Sequence, residues 1–294
     1  MSRRILLLGG NGQVGWELCR ALAPLGELHA PDRQEVDLYR PETLAHTVKR
    51  WQPDVIVNAA AYTAVDKAET EQEEARTLNS SAPAFLASEA CRTGALLVHY
   101  STDYVFDGSG NRPRTEAEPT APLNVYGLTK LAGENAIRES GARHLIFRTS
   151  WVYASRGANF PRTILRLAQE KERLSVIDDQ WGAPTGADLI ADITAHAIRQ
   201  ALDAKGFEGT YHVAASGETS WWGYARWIID TARAARPEWP WKVQSVEPIP
   251  GSEYPTPARR PANSRLDTSR LQQTFGLTLP EWQAGVQRLL AEIL

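Results

Sequence analysis

Short apolar runs alternate with longer amphipathic segments through the first half of the chain. The runs have the length of strands, whereas the segments between them carry apolar residues at the three- and four-residue spacing of helices. This alternation predicts an α/β fold of the Rossmann type, a doubly wound parallel sheet with helices on both faces. We predict strands over 4–8, 27–30, 54–58, 96–100 and 144–149, and helices over 13–23, 41–51, 69–93 and 126–140.

After residue 150 the pattern loosens into loops rich in Gly, Pro and Trp, which indicates a smaller C-terminal lobe. The prolines in 237–264 predict an extended surface segment, because Pro lacks the backbone N–H that regular structure needs. We divide the chain into a sheet domain, 1–150, rejoined by part of 184–207, and a lobe that takes up most of 151–294. Helices in the lobe are predicted near 160–172, 187–202, 220–235 and 280–294.

Composition narrows the range of functions. The 32 basic residues are spread along the chain and the formal net charge is −3, so the sequence lacks the electrostatic footprint of a nucleic-acid-binding protein. The apolar run at the N-terminus stops at Gly9, too early for a signal peptide or a membrane span. Cys19 and Cys91 have no metal-binding spacing, and we interpret them as small buried residues in a reducing compartment. A cytoplasmic protein with small-molecule partners is predicted.

Three glycines, Gly9, Gly12 and Gly15, follow the first strand and open the first helix. In that context they predict a dinucleotide fingerprint: a tight turn, a close approach of backbone N–H groups to a pyrophosphate, and close packing of helix on strand. The positive end of the helix dipole adds to the attraction, and we include Gln13 and Val14 in the cofactor site. A glycine-rich turn that merely joins strand to helix is the alternative.

The second strand ends in two residues that indicate different cofactors. Asp32 could accept hydrogen bonds from the adenosine ribose, as in NAD-binding proteins, whereas Arg33 could pair with the 2′-phosphate of NADP. The sequence therefore predicts use of NADPH or NADH. Asp37 and Leu38 lie where an adenine ring could rest, although an ordinary helix cap would also explain Asp37.

Small residues follow the third strand, in the stretch NAAAYTAVDKAE. Small side chains at this edge leave room for the ribose and nicotinamide, and tight packing of helix on strand would favour them equally. We assign Ala61, Tyr62 and Thr63 to the cofactor site. His99, inside the apolar fourth strand, is interpreted as a core residue rather than a catalytic base.

Polar side chains end the fourth strand, and a Tyr-x-x-x-Lys pattern opens the next helix. Thr102, Asp103 and Tyr104 follow the strand at the edge where open α/β sheets bind ligands. Tyr126 and Lys130 share one helix face. The pentapeptide alone is common on solvated helices, but with the glycine turn and the Thr102 hydroxyl it indicates carbonyl reduction, with Tyr126 as a general acid whose pKa the charged Lys130 lowers.

Together these stretches resemble the extended short-chain dehydrogenases/reductases. Within that family they are most similar to reductases of nucleotide-linked 4-keto-6-deoxy sugars, which implies a nucleotide-sugar substrate and NADPH or NADH as cofactor. Asn11 stands where such enzymes often have Thr. The matching stretches are GGNGQVGWEL, NAAAYTAVDKAE, STDYVFDG, NVYGLTKLAGE, FRTSWVY, QWGAPTGADL and RPANSRLDTSRL.

The resemblance implies a role for each catalytic residue. Hydride passes to C4 of the sugar, Tyr126 protonates the developing alkoxide, Thr102 hydrogen-bonds the same oxygen, and Lys130 holds the nicotinamide ribose. It also implies substrate contacts for Thr102, Asp103, Tyr104, Trp151, Arg260, Asn263 and Ser264. Packing between the lobes for Trp151 and a solvated charge for Arg260 are the alternatives, and the helical spacing of Trp221, Trp222 and Trp227 assigns these to the lobe's core.

A metal and other functions stay open. Some enzymes of this kind use Mg²⁺ at a dimer contact, which by resemblance falls on Glu17 and Asp188, and helix caps would explain the same carboxylates. Another nucleotide-sugar 4-ketoreductase or epimerase is one alternative. Sugar dehydratases carry Thr-Asp-Glu after the fourth strand, whereas Tyr104 takes the third place here. A non-catalytic NAD(P) sensor would be expected to lose Tyr126 or Lys130.

Overall fold

A central sheet of six parallel strands forms the core of the protein in a computed structural model, which describes residues 2–294. The described residues contain twelve strands, of which six form this sheet and the others form three two-stranded sheets. They are β1 (Arg3–Leu8), β2 (Gly26–His29), β3 (Val55–Asn58), β4 (Leu96–Thr102), β5 (His144–Thr149), β6 (Val152–Tyr153), β7 (Arg173–Ile177), β8 (Trp181–Gly182), β9 (Thr185–Gly186), β10 (Gly209–Val213), β11 (Thr219–Ser220) and β12 (Ser245–Ile249). The order across the central sheet is β10-β5-β4-β3-β1-β2. The predicted fold class is confirmed.

Helices cover both faces of this sheet. They are α1 (Gln13–Leu22), α2 (Pro41–Trp51), α3 (Val65–Ala68), α4 (Gln72–Arg76), α5 (Ala82–Thr93), α6 (Val125–Glu139), α7 (Phe160–Glu170), α8 (Ala187–Asp203), α9 (Trp221–Ala235), α10 (Ser269–Phe275) and α11 (Trp282–Ile293). Apolar residues of α1 and α8 are buried on one face, and those of α2, α5 and α6 on the other. The chain therefore returns to the sheet after residue 150, through α8 and β10.

The strand order reverses between β1 and β3, and each of these strands is followed by a loop at the same edge of the sheet. Open α/β sheets bind their ligands at such a switch point, outside the carboxyl ends of the strands. The glycine turn follows β1 and the small residues follow β3, so both motifs meet at this point.

A second apolar core, built around Tyr224, Ile228 and Trp282, holds the lobe together. Three further tryptophans pack against it, as predicted from their helical spacing: Trp221, Trp222 and Trp227. The lobe therefore has its own interior, and its aromatic residues are used mainly for packing.

The predicted helix over 69–93 is wrong in its middle. Residues Thr77–Ser81 form one π-helical turn between α4 and α5. Pro83 has no N–H to donate to the carbonyl of Asn79, four residues earlier, so a regular α-helix cannot continue there. The freed carbonyl lies so close to α6 that a Cβ on Gly133 would come within 2.1 Å of it. The irregular turn therefore lets α6 pack against this segment at close range.

Three further expectations are corrected. The segment 237–264 is not free of regular structure, because β12 pairs in parallel with β7 over five residues. The sixth strand of the sheet, β10, was missed, since its polar Thr210 and His212 interrupt the apolar run. Cys91 is exposed rather than buried, and Cys19 is half-buried. Among residues 2–294, no helix combines the length and the hydropathy needed to cross a bilayer.

Candidate active site

The glycine turn after β1 is shaped by close contacts that only glycine tolerates. Gly9 has a φ of +80°, and a Cβ there would lie 2.6 Å from the backbone nitrogen of Ala60. A Cβ on Gly15 would lie 2.0 Å from the carbonyl oxygen of Gly9. The amide of Gly12 donates to that same oxygen at 3.0 Å, and α1 begins directly afterwards. The backbone is thus open toward the helix N-terminus, as a pyrophosphate requires.

A cleft of about 720 Å³ runs from this turn along the carboxyl edge of the sheet. Most of the predicted site lines it: Gly9, Gly12, Gln13, Val14, Asp32, Arg33, Asp37, Leu38, Ala61, Thr63, Thr102, Asp103, Tyr104, Tyr126, Lys130 and Trp151. The prediction omitted several residues that also line it, including Tyr39, Val65, Leu78, Thr149, Ser150 and Ala158. Thr149 ends β5 and Ser150 follows it at the carboxyl edge of the sheet, so the rule applied to β4 could have found them.

The far end of the cleft carries the two residues that bear on cofactor choice. Oδ1 of Asp32 accepts hydrogen bonds from the amides of Gln34 and Glu35, at 2.8 and 3.1 Å. The guanidinium of Arg33 lies over the ring of Tyr39, 5.2 Å from its centroid, and its Nε lies 3.8 Å from Oδ1 of Asp37, yet 77% of the Arg33 side chain is exposed. The carboxylate oxygen is therefore engaged by its own turn, while the guanidinium is accessible to an anion.

Tyr62 and Gly15 do not line the cleft but support its walls. The backbone amide and carbonyl of Tyr62 bond to the side chain of Asn79, at 2.9 and 3.0 Å. The same side chain donates to the hydroxyl of Thr129 on α6 at 3.2 Å. Asn79 is fully buried in the π-helical turn. It links the loop after β3 to the helix that carries Tyr126, a role that sequence reasoning missed.

The first turn of α6 is held in place from several sides. Oδ1 of Asn124 caps the helix by accepting from the amide of Gly127 at 2.8 Å, and its Nδ2 donates to the carbonyl of Arg259 at 2.8 Å. A Cβ on Gly127 would lie 2.2 Å from the carbonyl oxygen of Tyr104. The rings of Tyr104 and Tyr126 meet edge to face, with centroids 5.6 Å apart. The Tyr-Gly pair therefore allows the helix to approach the end of β4 closely.

Thr102 and Tyr126 each bring a hydroxyl group to the cleft. Thr102 Oγ1 donates to Oδ1 of Asp103 at 3.1 Å and accepts from the amide of Tyr104 at 3.2 Å. Burial raises the pKa of Tyr126 to about 12, while the Thr102 hydroxyl acts in the opposite direction. The shift is opposite to the one expected from the sequence, because burial outweighs the other influences. The phenol is therefore protonated at neutral pH and available as a proton donor.

Asp103 lies beside this pair as a deeply buried carboxyl group. Only 3% of it is exposed, and burial raises the pKa of the carboxyl to about 6. Within residues 2–294, its Oδ2 atom has no hydrogen-bond partner although Asp103 lines the cleft. A buried acceptor of this kind suits a ligand hydroxyl, and the contact of Asp103 with the substrate stays a prediction.

Asp103→Asn should change the stability of the protein in a pH-dependent way. An unfolded Asp has a pKa of about 3.9, so a folded-state value near 6 means that stability falls as the pH rises between these values. Asn keeps the acceptor oxygen without the charge. Urea unfolding at pH 8 should show a gain of about 1–3 kcal/mol in the free energy of unfolding, and the gain should shrink toward pH 4. An equal gain at both pH values would contradict a charged Asp103 as the cause.

Lys130 is buried on the cleft wall with 2% of its surface exposed. Its Nζ donates to the carbonyl oxygen of Tyr100 at 2.6 Å and lies 3.4 Å from Nε2 of His99. Burial lowers the pKa of Lys130 to about 8, and the negative charge of Glu134 opposes that shift. Burial also lowers the pKa of His99 well below its usual value, so this ring is neutral, as its interpretation as a core residue requires.

Trp151 follows β5 at the border between the sheet and the lobe. Its φ of +49° lies in the left-handed region that favours glycine. The indole stacks on Trp221 with ring centroids 3.6 Å apart, and it closes against Gly182, where a Cβ would lie 2.7 Å from the ring. Trp151 thus faces the cleft while Trp221 supports it from behind, so the two interpretations of this residue are compatible.

The other predicted substrate residues lie beside the cleft rather than along its wall. Arg260 forms an ion pair with Asp66 at 3.0 Å, which joins the lobe to α3. Asn263 donates from Nδ2 to the carbonyl of Arg112 at 2.9 Å, and the amide of Ser264 donates to a carbonyl of β8 at 2.7 Å. These contacts hold the segment against the loops that border the cleft. Its assignment to the substrate stays a prediction.

The two carboxylates predicted to hold Mg²⁺ are engaged by arginines. Glu17 pairs with Arg20 at 3.3 Å, and Asp188 pairs with Arg288 at 3.4 Å. Residues 2–294 contain no group of three or more His, Cys, Asp or Glu side chains arranged to hold a metal ion. The structure gives the metal prediction no support.

The cleft therefore combines the parts that carbonyl reduction needs. The glycine turn and the accessible guanidinium of Arg33 fit a dinucleotide cofactor. A protonated phenol and a threonine hydroxyl lie at the end of β4, with the Lys130 ammonium one helical turn further along α6. Such a group of donors can bind a carbonyl oxygen and deliver a proton to it when the carbon accepts a hydride.

Comparisons with known proteins agree with this geometry. A family model described as the RmlD substrate binding domain matches residues 3–294. The dTDP-4-dehydrorhamnose reductase of Escherichia coli K12 is 56% identical over 98% of this chain and 97% of its own length. Its counterpart in Burkholderia thailandensis is 50% identical over 99% of both chains. The crystal structure of dTDP-4-dehydrorhamnose reductase from Bacillus anthracis in complex with NADP is 33% identical, covers 99% of this chain and 100% of its own, and gives a TM-score of 0.89.

Proposed function

The chain belongs to the family of dTDP-4-dehydrorhamnose reductases, and from that premise we propose that it reduces dTDP-4-dehydro-L-rhamnose to dTDP-L-rhamnose. This reaction is the last step of dTDP-rhamnose biosynthesis, and NADPH or NADH supplies the hydride that the C4 carbonyl carbon accepts. The observation that carries the proposal is the meeting of Thr102, Tyr126 and Lys130 on one wall of the cleft that begins at the glycine turn.

Each of the three side chains has a distinct task in the reduction. Tyr126 donates its phenolic proton to the oxygen on C4, which becomes a strong base as the carbon is reduced. Thr102 donates a hydrogen bond to the same oxygen and so stabilises the developing charge. Lys130, fixed by its bond to the Tyr100 carbonyl, holds the nicotinamide ribose and places a positive charge near the phenol. That charge stabilises the phenolate left after the transfer.

The alternatives find less support in the residues at the cleft. A sugar dehydratase needs a carboxylate after Thr102 and Asp103 to remove a proton from C5, and Tyr104 occupies that position. A non-catalytic NAD(P) sensor needs neither the phenol nor the ammonium, yet both face the cleft. Net reduction at C4 therefore explains more of the site than either alternative.

Arg33 supports a preference for NADPH over NADH. Its exposed guanidinium can pair with a 2′-phosphate, whereas Asp32 already accepts two bonds from its own turn. A charge-assisted hydrogen bond contributes about 1.5–3 kcal/mol, so kcat/KM should be roughly 10-fold or more higher with NADPH.

Association into a homodimer stays a prediction from the resemblance.

An assay with product identification tests the proposed function. The protein is incubated with dTDP-4-dehydro-L-rhamnose and NADPH, with a parallel reaction in NADH, and the sugar is analysed by NMR. We expect one cofactor molecule to be oxidised for each molecule of dTDP-L-rhamnose formed. Formation of the C4 epimer, or absence of cofactor oxidation with either nucleotide, would overturn the proposal.

A further inference from the structure

Three side chains on α6 recur at four-residue intervals and lie along one face of the helix. Tyr126 and Lys130 line the cleft, and Glu134 follows one turn further on. Glu134 has 0% of its surface exposed. A carboxylate so deeply buried on the same face as the catalytic residues calls for an explanation, because burying a charge is costly.

The partner of Glu134 is a second buried charge, Arg148 in β5. Its Nε and Nη2 atoms donate to the two carboxylate oxygens at 2.9 and 2.6 Å, and only 2% of Arg148 is exposed. Arg138, a half-exposed residue, adds one hydrogen bond at 2.9 Å. Buried ion pairs often contribute little net stability, since desolvation offsets their attraction. Stability alone therefore does not account for this pair.

Lys130 is surrounded by groups from three elements. Tyr126 and Glu134 lie one helical turn before and one turn after it on α6, and His99 and the carbonyl oxygen of Tyr100 contact its Nζ from β4. Arg148 approaches from β5 through its pairing with Glu134. Among these groups His99 is neutral and the phenol is protonated, so Glu134 supplies the negative charge, and this charge opposes the lowering of the Lys130 pKa by burial.

We propose that Glu134 is a positioning residue for the reduction: paired with Arg148, it fixes α6 over β5 and keeps Lys130 charged while Lys130 holds the cofactor. The proposal rests on the proposed function for the role of Lys130. The pair also explains why β5 carries a buried arginine directly before Thr149 and Ser150, which line the cleft.

Glu134→Gln should narrow the pH range in which the protein binds NADPH tightly. The substitution leaves Arg148 without a counterion close to Lys130, so the ammonium loses its proton at lower pH. The pH at which NADPH affinity falls to half should move down by about one unit, as should the alkaline limb of kcat/KM. Fluorescence titrations of NADPH between pH 6 and 10 measure the first quantity without any sugar substrate.

Arg148→Gln provides the opposite perturbation. It leaves the negative charge of Glu134 without its buried partner, so Lys130 should keep its proton to higher pH and the same midpoint should move up. Arg148→Lys, which conserves the charge, should leave the midpoint near that of the parent. Arg138→Gln is the matched control, because it removes a half-exposed cation from the same carboxylate and should shift the midpoint little.

Opposite shifts in the two single variants would support the proposal, since loss of packing alone would not reverse sign with the charge that is removed. Midpoints that stay at the parent's value, or move in the same direction, would overturn it. Thermal melts at each pH identify unfolded variants. If only one of the two single variants folds, a shift in its expected direction supports the proposal when Arg148→Lys and Arg138→Gln keep the parent's midpoint, and any other result overturns it. Loss of folding in both would assign the pair to structure and overturn the proposal. Because these titrations use NADPH alone, the midpoints can stay unchanged in a protein that reduces the sugar. Equally, the midpoints can shift as expected in a protein that does not reduce this sugar.

Discussion

Tyr126→Phe should bind NADPH as the parent protein does and lose about 10²–10⁴-fold in kcat. The substitution deletes one oxygen and keeps the ring, so the edge-to-face contact with Tyr104 and the start of α6 are retained. What disappears is the proposed donor of a proton to the C4 oxygen. Stopped-flow measurement of NADPH oxidation with saturating sugar separates this loss of turnover from any change in binding.

Tyr104→Phe is the matched comparison for that variant. It removes a phenolic oxygen from a neighbouring ring that lines the same cleft. We expect an effect mainly on KM for the sugar, because Tyr104 is assigned to binding rather than to proton transfer. If Tyr126→Phe kept most of its turnover, or if both variants lost turnover equally, Tyr126 would not be the general acid.

Lys130→Met should lower both turnover and cofactor affinity. Methionine has a similar length but carries no charge, so the proposed contact to the nicotinamide ribose and the positive charge one helical turn from Tyr126 are lost together. A charge-assisted hydrogen bond contributes about 1.5–3 kcal/mol, which corresponds to a rise of roughly 10- to 100-fold in the Kd for NADPH. Isothermal titration with NADPH and steady-state kinetics measure the two losses separately.

The pH dependence of cofactor binding distinguishes this role from a packing role. The pKa of Lys130 is lowered to about 8, so its charge is lost as the pH rises through that value. NADPH affinity of the parent should fall above about pH 8, whereas the affinity of Lys130→Met should lack this step. Lys205→Met, which removes an exposed lysine after α8, should match the parent. A step of equal size in Lys130→Met would place the titrating group elsewhere.

Much of the fold could be predicted from periodicity because its strongest elements are continuous. Five of the six strands in the central sheet lie within two residues of their predicted bounds, and four of these, β1, β3, β4 and β5, each contain an apolar run of three or more residues. The sixth, β10, carries Thr210 and His212 and therefore lacks that signature. The π-helical turn was missed because its cause lies in Pro83 and in the close approach of Gly133, and helical periodicity does not register either.

The candidate site was predictable where chemistry follows directly after a strand or opens a helix. Gly9, Thr102 and Tyr126 have such positions, and all three line the cleft. Residues that act through another residue gave no such signal. Asn79 and Glu134 lie inside helices, where polar residues normally face solvent, and only the packing of the folded chain shows that both are fully buried.

The position of β10 at the edge of the sheet also affects how the chain is made. Its partner β5 ends at Thr149, about 60 residues before β10 begins at Gly209. At 5–20 residues per second, a ribosome takes about 3–12 s to supply that missing neighbour. During this interval β5 presents a free row of backbone donors and acceptors, which is a template for pairing with another chain. A fragment cut at residue 150 would stay in that state, so the sheet domain depends on the later chain to protect it from aggregation.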